Sequence, residues 1–170
     1  GDHVVGATDQ AQWSTIVQAV ADARALDATT GPGHGVGFSF TPDCGYWFLD
    51  LDGAYVNGGW SQFAVSALRH WFTGAAAEVS MSGTGLHLFG RGTVPAHGSR
   101  CADESSEFYT KGRFAAMTGF QAEGNCDVDH SAVLPWFVQT YFPKRDGEHY
   151  EVPDEGPCAG WKGPEDDDKL

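Results

Sequence analysis

Residues 46–52 read YWFLDLD, an aromatic and aliphatic run that ends in two carboxylates. Side chains alternate across a β-strand, so the run predicts a strand with Asp50 and Asp52 on one face and the leucines on the other, towards a core. Two carboxylates at this spacing raise each other's pKa unless a cation lies between them. Carboxylate oxygens are the ligands that Mg²⁺ and Mn²⁺ prefer, so the pattern indicates a divalent-cation site. A pair of solvated acids at a turn fits the short D-x-D pattern equally well.

The length and composition are those of one globular domain. The chain has 170 residues, of which 41% are hydrophobic and 19% charged, so a disordered chain is excluded. No apolar run reaches the roughly 18–20 residues of a membrane-spanning helix, and no signal peptide is recognisable. We therefore expect a cytoplasmic protein without a membrane partner. The four cysteines are widely spaced and predict reduced thiols rather than a disulfide framework.

The net charge of −13 argues at first sight against nucleic acid as a partner. The acidic excess is unevenly distributed along the chain, however. Residues 60–119 contain 4 acids and 5 bases, whereas residues 120–170 contain 12 acids and 4 bases. The middle of the chain is thus nearly neutral, and the net charge does not decide the partner.

Apolar periodicity and turn residues predict an α+β protein. A helix is expected over residues 8–26, with Thr8 as its N-cap, and two further helices over residues 60–72 and 131–142. The runs between them predict three antiparallel hairpins: VGFSFT with YWFLDLD around PDCG, AEVSMS with LHLFGRG around SGTG, and SEFYT with RFAAMTG around Lys111-Gly112. Together these elements predict a mainly antiparallel sheet backed by helices.

The segment SMSGTGLHLFG, residues 80–90, combines a turn with a strand that carries a histidine. Serines and glycines at 80–85 predict a turn whose backbone N–H groups could face outward and hold an anion such as a phosphate. His87 alternates with Leu86 and Leu88, so it is predicted to face away from the core. A lone histidine on a strand is more often an incidental surface group, but the adjacent turn favours a functional one.

The segment SEFYTKGRFAAMTG, residues 106–119, adds a third acid, Glu107, and a base, Arg113. Each of them alone is most simply an ordinary surface charge. They gain a functional meaning only if this segment shares one face of the sheet with Asp50 and His87.

The order of these three segments resembles the primase–polymerase domain of the archaeo-eukaryotic primase superfamily. The motifs that carry the resemblance are D-L-D, then S-x-S-G-x-G-x-H, then E-x-Y-x-x-x-R-F-x-x-M-T-G. The sequence is most similar to the phage and plasmid branch, in which this domain often precedes a helicase. The resemblance implies an RRM-like antiparallel sheet backed by helices, located in the cytoplasm of a bacterium or a phage-infected host.

The resemblance also implies an activity, which is to make or extend primers on single-stranded DNA from NTP or dNTP. Residues 1–143 would form the catalytic domain, and residues 144–170 an acidic linker towards a helicase or accessory domain of the same polypeptide. The implied roles are metal ligands for two Mg²⁺ or Mn²⁺ ions (Asp50, Asp52, Glu107), contacts to the nucleotide phosphates (His87, with Ser82 and Gly83 in the turn), and a charge partner for phosphate or acids (Arg113). Arg91 could also reach phosphate or template.

The sequence lacks two motifs, a zinc knuckle and a P-loop. The residues that could bind zinc lack the spacing of a zinc knuckle, so we predict no structural zinc (Cys101, Cys126, His130, Cys158). No G-x-x-x-x-G-K-[ST] motif occurs, so ATP-driven translocation is not expected of this chain.

Two other classes of protein are also compatible with the D-x-D motif and the predicted sheet. A nucleotide-sugar glycosyltransferase also uses D-x-D to hold Mn²⁺ and a diphosphate, but it usually has a parallel Rossmann-like half before the motif. A non-catalytic RRM-like module would display stacking aromatic and basic side chains on its sheet. The positions predicted to be exposed here are instead Asp50, Asp52 and His87.

Overall fold

The computed structural model of the protein describes residues 10–102 and 105–144. Of these residues, those from 37 to 144 belong to one compact unit and those from 10 to 36 belong to another. In the second of these, a 3-10 turn (Gln10–Gln12) precedes helix α1 (Ile16–Thr30). The Oγ1 atom of Thr15 accepts a hydrogen bond from the Gln18 N–H and so caps this helix. The helix therefore begins later than predicted, and Thr8 lies outside the described residues.

The unit that includes residues 37–144 combines helices with a main sheet of antiparallel strands, so the predicted α+β class is confirmed. The strands of the protein are β1 (Val36–Phe40), β2 (Tyr46–Leu51), β3 (Tyr55–Val56), β4 (Gly59–Trp60), β5 (Ala76–Val79), β6 (Leu86–Arg91), β7 (Ser106–Tyr109) and β8 (Arg113–Met117). The main sheet has four strands in the order β5-β6-β2-β7, and every pair in it is antiparallel. Strands β1 and β8 form a second, two-stranded sheet, and β3 and β4 form a third.

Of the three predicted hairpins, only the β5–β6 pair around SGTG is confirmed. Strand β2 pairs with β6 and β7 rather than with β1, and β8 pairs with β1 rather than with β7. The reason lies in burial: five of the six residues of β2 are buried, so this strand needs a partner on each side and a cover on each face. The turns around 42–45 and 111–112 therefore connect strands that do not pair with each other.

Helices cover one face of the main sheet. Helix α2 (Gln62–Ser66) is capped by the Ser61 hydroxyl and continues into a single π-helical turn (Ala67–Trp71). Helix α3 (Leu134–Tyr141) has Pro135 in its first turn, as predicted. The core between helices and sheet contains the large, fully buried side chains Trp47, Leu49, Leu51, Leu88, Phe108, Phe72, Phe137 and Phe142. None of the helices in the described part of the chain is long and apolar enough to span a bilayer.

The second sheet, β1–β8, covers part of the opposite face. Phe40 and Ala115 pack there against three aromatic rings of the main sheet, those of Phe48, Phe89 and Tyr109. The rings of Phe40 and Phe48 stack at 5.5 Å between centroids. On each of three neighbouring strands, the residue two positions from the ring lies on the same face and is ionisable. These pairs are Phe48 with Asp50, Phe89 with His87, and Tyr109 with Glu107.

Candidate active site

A single row of ionisable residues crosses the main sheet. Asp50 on β2 lies opposite His87 on β6 and opposite Glu107 on β7. At the outer ends, Glu78 on β5 lies opposite His87, and Arg100 forms an isolated bridge with Glu107. Residues opposite one another in antiparallel strands project on the same face, so the three sequence segments do share one face of the sheet.

Asp50 is the member of the row whose negative charge burial disfavours most clearly. The residue is only 8% exposed, and its Oδ1 atom has no hydrogen-bond partner in the described part of the chain. That atom is 3.7 Å from His87 Nε2, while Oδ2 is 3.8 Å from Arg113 Nη2. Burial raises the pKa of Asp50 from an ordinary value of 3.8 to about 6; the charges of His87 and Arg113 oppose the rise, and those of Asp52 and Glu107 add to it.

Glu107 is held by two arginines and a phenol. Its Oε1 atom is 3.0 Å from Arg100 Nη2, and its Oε2 atom is 3.2 Å from Arg113 Nη2. The Tyr109 hydroxyl donates to Oε2 at 2.9 Å. The Arg113 guanidinium also lies over the Tyr109 ring, 4.9 Å from its centroid, so its position is fixed by stacking as well as by charge.

Asp52 occupies a different environment from Asp50. Strand β2 ends at Leu51, and Asp52 begins the turn that follows, where Gly53 has φ +56°. The residue is exposed, and its backbone N–H donates to Ser105 O at 3.1 Å. The expectation that both acids lie on the strand is therefore wrong by one residue, although the charge of Asp52 is near enough to raise the pKa of Asp50.

His87 faces away from the leucine side of the sheet, as predicted, but it is buried rather than exposed. The residue is 9% exposed, and its ring edge packs on Phe48 at 5.3 Å between centroids. Its Nδ1 atom is 3.1 Å from Glu78 Oε1. The opposite nitrogen, Nε2, faces Asp50. Burial follows from the aromatic cluster beside the ring and from Glu78 on the edge strand.

The turn at residues 80–85 is exposed at Ser82 and Gly83, and it is hydrogen-bonded within itself. The hydroxyls of Ser80, Ser82 and Thr84 form a chain with oxygen–oxygen distances of 3.0 and 3.1 Å. The N–H groups of Gly83, Thr84 and Gly85 donate to Ser80 O, Ser82 Oγ and Ser80 Oγ. In this structure these three N–H groups therefore point into the turn, and their binding of phosphate stays a prediction.

Models of known protein families gave no match to the chain, and neither did a search among curated proteins. The function of the site therefore has to be inferred from its residues and their geometry.

The acids of the row have the donor chemistry of a divalent-cation site. In the described residues no group of three or more His, Cys, Asp or Glu side chains is close enough together to hold a metal ion. The guanidinium of Arg113 instead neutralises the two neighbouring carboxylates, Asp50 and Glu107. The buried Oδ1 of Asp50 accepts no hydrogen bond within the described residues and has the His87 ring only at 3.7 Å, so it is the atom that most clearly fits a cation, because a buried carboxylate oxygen without a hydrogen bond is costly. Hard oxygen donors of this kind suit Mg²⁺ or Mn²⁺.

Sequence reasoning missed two members of the row. Glu78 and Arg100 were not singled out, although the predicted hairpin around SGTG contained the signal for Glu78. Antiparallel pairing counted outward from that turn places Val79 opposite Leu86, and hence Glu78 opposite His87. Arg100 precedes a loop and joins the sheet only through an isolated bridge, so no periodic pattern marks it.

Proposed function

We propose that the chain is a DNA-dependent primase–polymerase domain with the core fold of the archaeo-eukaryotic primases. It would bind a single-stranded DNA template and make or extend a primer from NTP or dNTP. The observation that carries the proposal is the row itself. Three motifs separated by 37 and 20 residues supply Asp50, His87 and Glu107, and these side chains lie on adjacent positions of three neighbouring strands.

The reaction is a nucleotidyl transfer. The primer 3′-oxygen forms a bond to the α-phosphorus of the nucleotide, the bond from that phosphorus to the bridging oxygen breaks, and pyrophosphate leaves while the hydroxyl proton passes to water. Mg²⁺ or Mn²⁺, when bound, would stabilise the attacking and leaving oxygens. Asp50 and Glu107, with Asp52 in the adjoining turn, are the residues that would hold it.

The protein side chains supply the remaining functions. At pH 7–8 Asp50 is largely ionised despite its raised pKa, so it is available as a ligand. His87 presents Nε2 on the same face as the acids, where it can contact a triphosphate. Arg113 is partly exposed and holds both carboxylates in this structure, and its long side chain can turn towards phosphate oxygens.

The rival classes fit the fold less well. Within the described residues, every strand pair of the main sheet is antiparallel, whereas a nucleotide-sugar glycosyltransferase usually carries a parallel Rossmann-like half. A non-catalytic nucleic-acid module has no need of a buried carboxylate with a strongly raised pKa. Such groups destabilise a fold and are typical of reactive sites.

The experiment that tests the proposal is primer synthesis by the purified protein. It is incubated with single-stranded DNA, labelled NTP or dNTP, and Mg²⁺ or Mn²⁺, and the products are sized. We expect extended products from the wild-type protein and at least a hundredfold less from Asp50→Asn. Asp43→Asn, which changes an exposed acid in the turn before β2, serves as the matched control and retains synthesis. A folded wild-type protein that makes no product with either metal and either nucleotide would contradict the proposal.

A further inference from the structure

Glu78 is a buried acid that the reaction described above does not use. It is 4% exposed and lies on the edge strand β5. Its carboxylate accepts hydrogen bonds from the Thr118 N–H, at 3.1 and 3.0 Å, and from the Gly119 N–H at 2.7 Å. Burial alone raises its pKa, but the His87 hydrogen bond and the two backbone donors outweigh burial, so the pKa of Glu78 is below its ordinary value.

The Thr118 N–H is shared between the two carboxylate oxygens, and the shorter backbone hydrogen bond goes to Oε2, so Oε1 can also accept from the imidazole. Oε2 receives the Gly119 N–H, while Oε1 is 3.1 Å from His87 Nδ1. An ionised carboxylate can only accept hydrogen bonds, so Nδ1 must be the donor. In a neutral ring the proton then resides on Nδ1, and the lone pair is on Nε2, the nitrogen that faces Asp50.

We propose that Glu78 is a positioning residue that fixes the ring orientation and the tautomer of His87, so that Nε2 is directed into the row of acids. In so far as His87 contacts a nucleotide, this role rests on the proposed function. In the metal sites of other proteins, a carboxylate that accepts a hydrogen bond from one ring nitrogen of a histidine fixes the orientation and the tautomer of that ring in the same way.

The backbone hydrogen bonds to Glu78 also give a physical reason for the Thr118-Gly119 pair, which ends the third of the three sequence motifs. Gly119 has φ +63°, and this conformation lets two successive N–H groups converge on one carboxylate. The Thr118 hydroxyl donates to Val79 O at 2.7 Å, which fastens the same turn to β5. The end of β8 is thereby tied through Glu78 to His87, which lies on the strand next to Asp50, whereas the start of β8 contacts Asp50 and Glu107 through Arg113.

Glu78→Gln tests the proposal sharply because of this geometry. The amide oxygen of the glutamine would take the place of Oε2, since two backbone N–H groups point there. Its NH₂ group would then face His87 Nδ1 and donate to it. The neutral ring would have to carry its proton on Nε2 instead, so the tautomer should invert while the side-chain shape stays nearly the same.

The first measurement is nitrogen-15 NMR of histidine-labelled protein at a pH where the ring is neutral, with the His87 signals assigned by their loss in His87→Gln. We expect the Nδ1–H tautomer in the wild type and the Nε2–H tautomer in Glu78→Gln. Glu123→Gln, which removes an acid paired with the exposed Arg69 at 3.2 Å, should leave the signals unchanged. A wild-type ring protonated on Nε2, or the same tautomer in wild type and Glu78→Gln, would overturn the proposal.

The second measurement is the nucleotide dependence of synthesis. Phosphate oxygens only accept hydrogen bonds, so Nε2 contacts them as the N–H group of a protonated ring whose Nδ1–H is held by the Glu78 carboxylate. A glutamine instead presents an N–H to Nδ1 and opposes that protonated form, so Glu78→Gln should raise the nucleotide KM by roughly tenfold and lower kcat less. An inverted tautomer accompanied by unchanged KM and kcat would overturn the positioning role. The NMR measurement needs no activity, so a wild-type protein with the expected tautomer but no synthesis would refute the proposed function and leave the Glu78–His87 assignment standing.

Discussion

Asp50 and Glu107 lie opposite one another on neighbouring antiparallel strands, and one guanidinium bridges them. Arg113 Nη2 is 3.8 Å from Asp50 Oδ2 and 3.2 Å from Glu107 Oε2. Two buried carboxylates at facing positions of neighbouring strands repel each other, and a cation between them is the expected compensation. In this structure that cation is Arg113, and we propose that a bound Mg²⁺ or Mn²⁺ takes its place during the reaction.

Asp50→Asn should stabilise the protein at neutral and alkaline pH. The folded-state pKa of about 6 exceeds the ordinary 3.8, so between these values the folded state binds more protons than the unfolded state. The destabilisation by the charged Asp50 is therefore complete above about pH 6 and disappears as the pH falls below about 4. At pH 8 the substitution should raise the free energy of unfolding by up to about 3 kcal/mol.

Urea unfolding at pH 8 and pH 4 measures this effect. The gain should be present at pH 8 and absent at pH 4, and Asp43→Asn, at an exposed position, should change little at either pH. A loss of stability in Asp50→Asn at pH 8 would show that the contacts to His87 and Arg113 outweigh burial, contrary to the account.

Arg113→Met should lower the free energy of unfolding at pH 8, whereas Asp50→Asn should raise it. The Arg113 substitution keeps the apolar stem but removes the charge that lowers the pKa of Asp50, so the two carboxylates are left less compensated. Arg113 is about one-third exposed, and we expect a loss of about 1–3 kcal/mol at pH 8 that shrinks towards pH 4. Arg69→Met, which breaks the exposed pair with Glu123, should lose less than about 1 kcal/mol. Equal losses in the two variants would contradict a special role for Arg113.

Mn²⁺ should stabilise the wild-type protein if the acids form a cation site. A ligand that binds only the folded state at a hundredfold excess over its Kd adds about 2.7 kcal/mol, which corresponds to a rise in Tm of roughly 5–10 °C. The rise should be absent in Asp50→Asn and in Glu107→Gln. Thermal scans with and without Mn²⁺ measure the change in Tm. A rise of equal size in the two variants would show that Mn²⁺ binds at a site that does not include Asp50 and Glu107.

Gly90→Ala tests the strand register that assembles the row. Gly90 lies opposite Trp47, and a Cβ atom on it would be 2.5 Å from Trp47 Cζ2 and 2.9 Å from His130 Nδ1. We expect a loss of about 1–3 kcal/mol in urea unfolding. Gly59→Ala, where an added Cβ meets nothing within 4 Å, is the matched control. If Gly90→Ala were as stable as its control, Trp47 would not face Gly90, and Asp50 would not face His87.

The residues of the candidate site could be predicted from the sequence because strand alternation is a local property. YWFLDLD and LHLFG each show which side chains share a face, and the structure places Asp50 and His87 opposite each other on the non-leucine face. The length of the strand was less predictable. Gly53, with φ +56°, turns the chain so soon that Asp52 falls outside β2.

The pairing of strands could not be predicted, since it depends on contacts between distant segments. The turn residues at 42–45 and 111–112 suggested hairpins, but the buried rings of Phe48 and Phe89 need a cover on the second face, and β1 with β8 provides it. This cover also explains why Asp50 and His87 are buried rather than exposed. The place of Glu78 opposite His87 follows from the predicted hairpin, but the anchoring of its carboxylate could not be predicted, because it depends on the backbone of Thr118 and Gly119, about 40 residues away.

Template-directed choice of nucleotide tests the central claim most directly. The wild-type protein is given a primed homopolymer of dA or dC with one labelled dNTP at a time and Mn²⁺. We predict that dTMP is added on the dA template and dGMP on the dC template, and that both additions are lost in Asp50→Asn and Glu107→Gln. Addition that ignores the template, or addition that persists in both folded variants, would contradict the assignment of this row of residues as a primase–polymerase site.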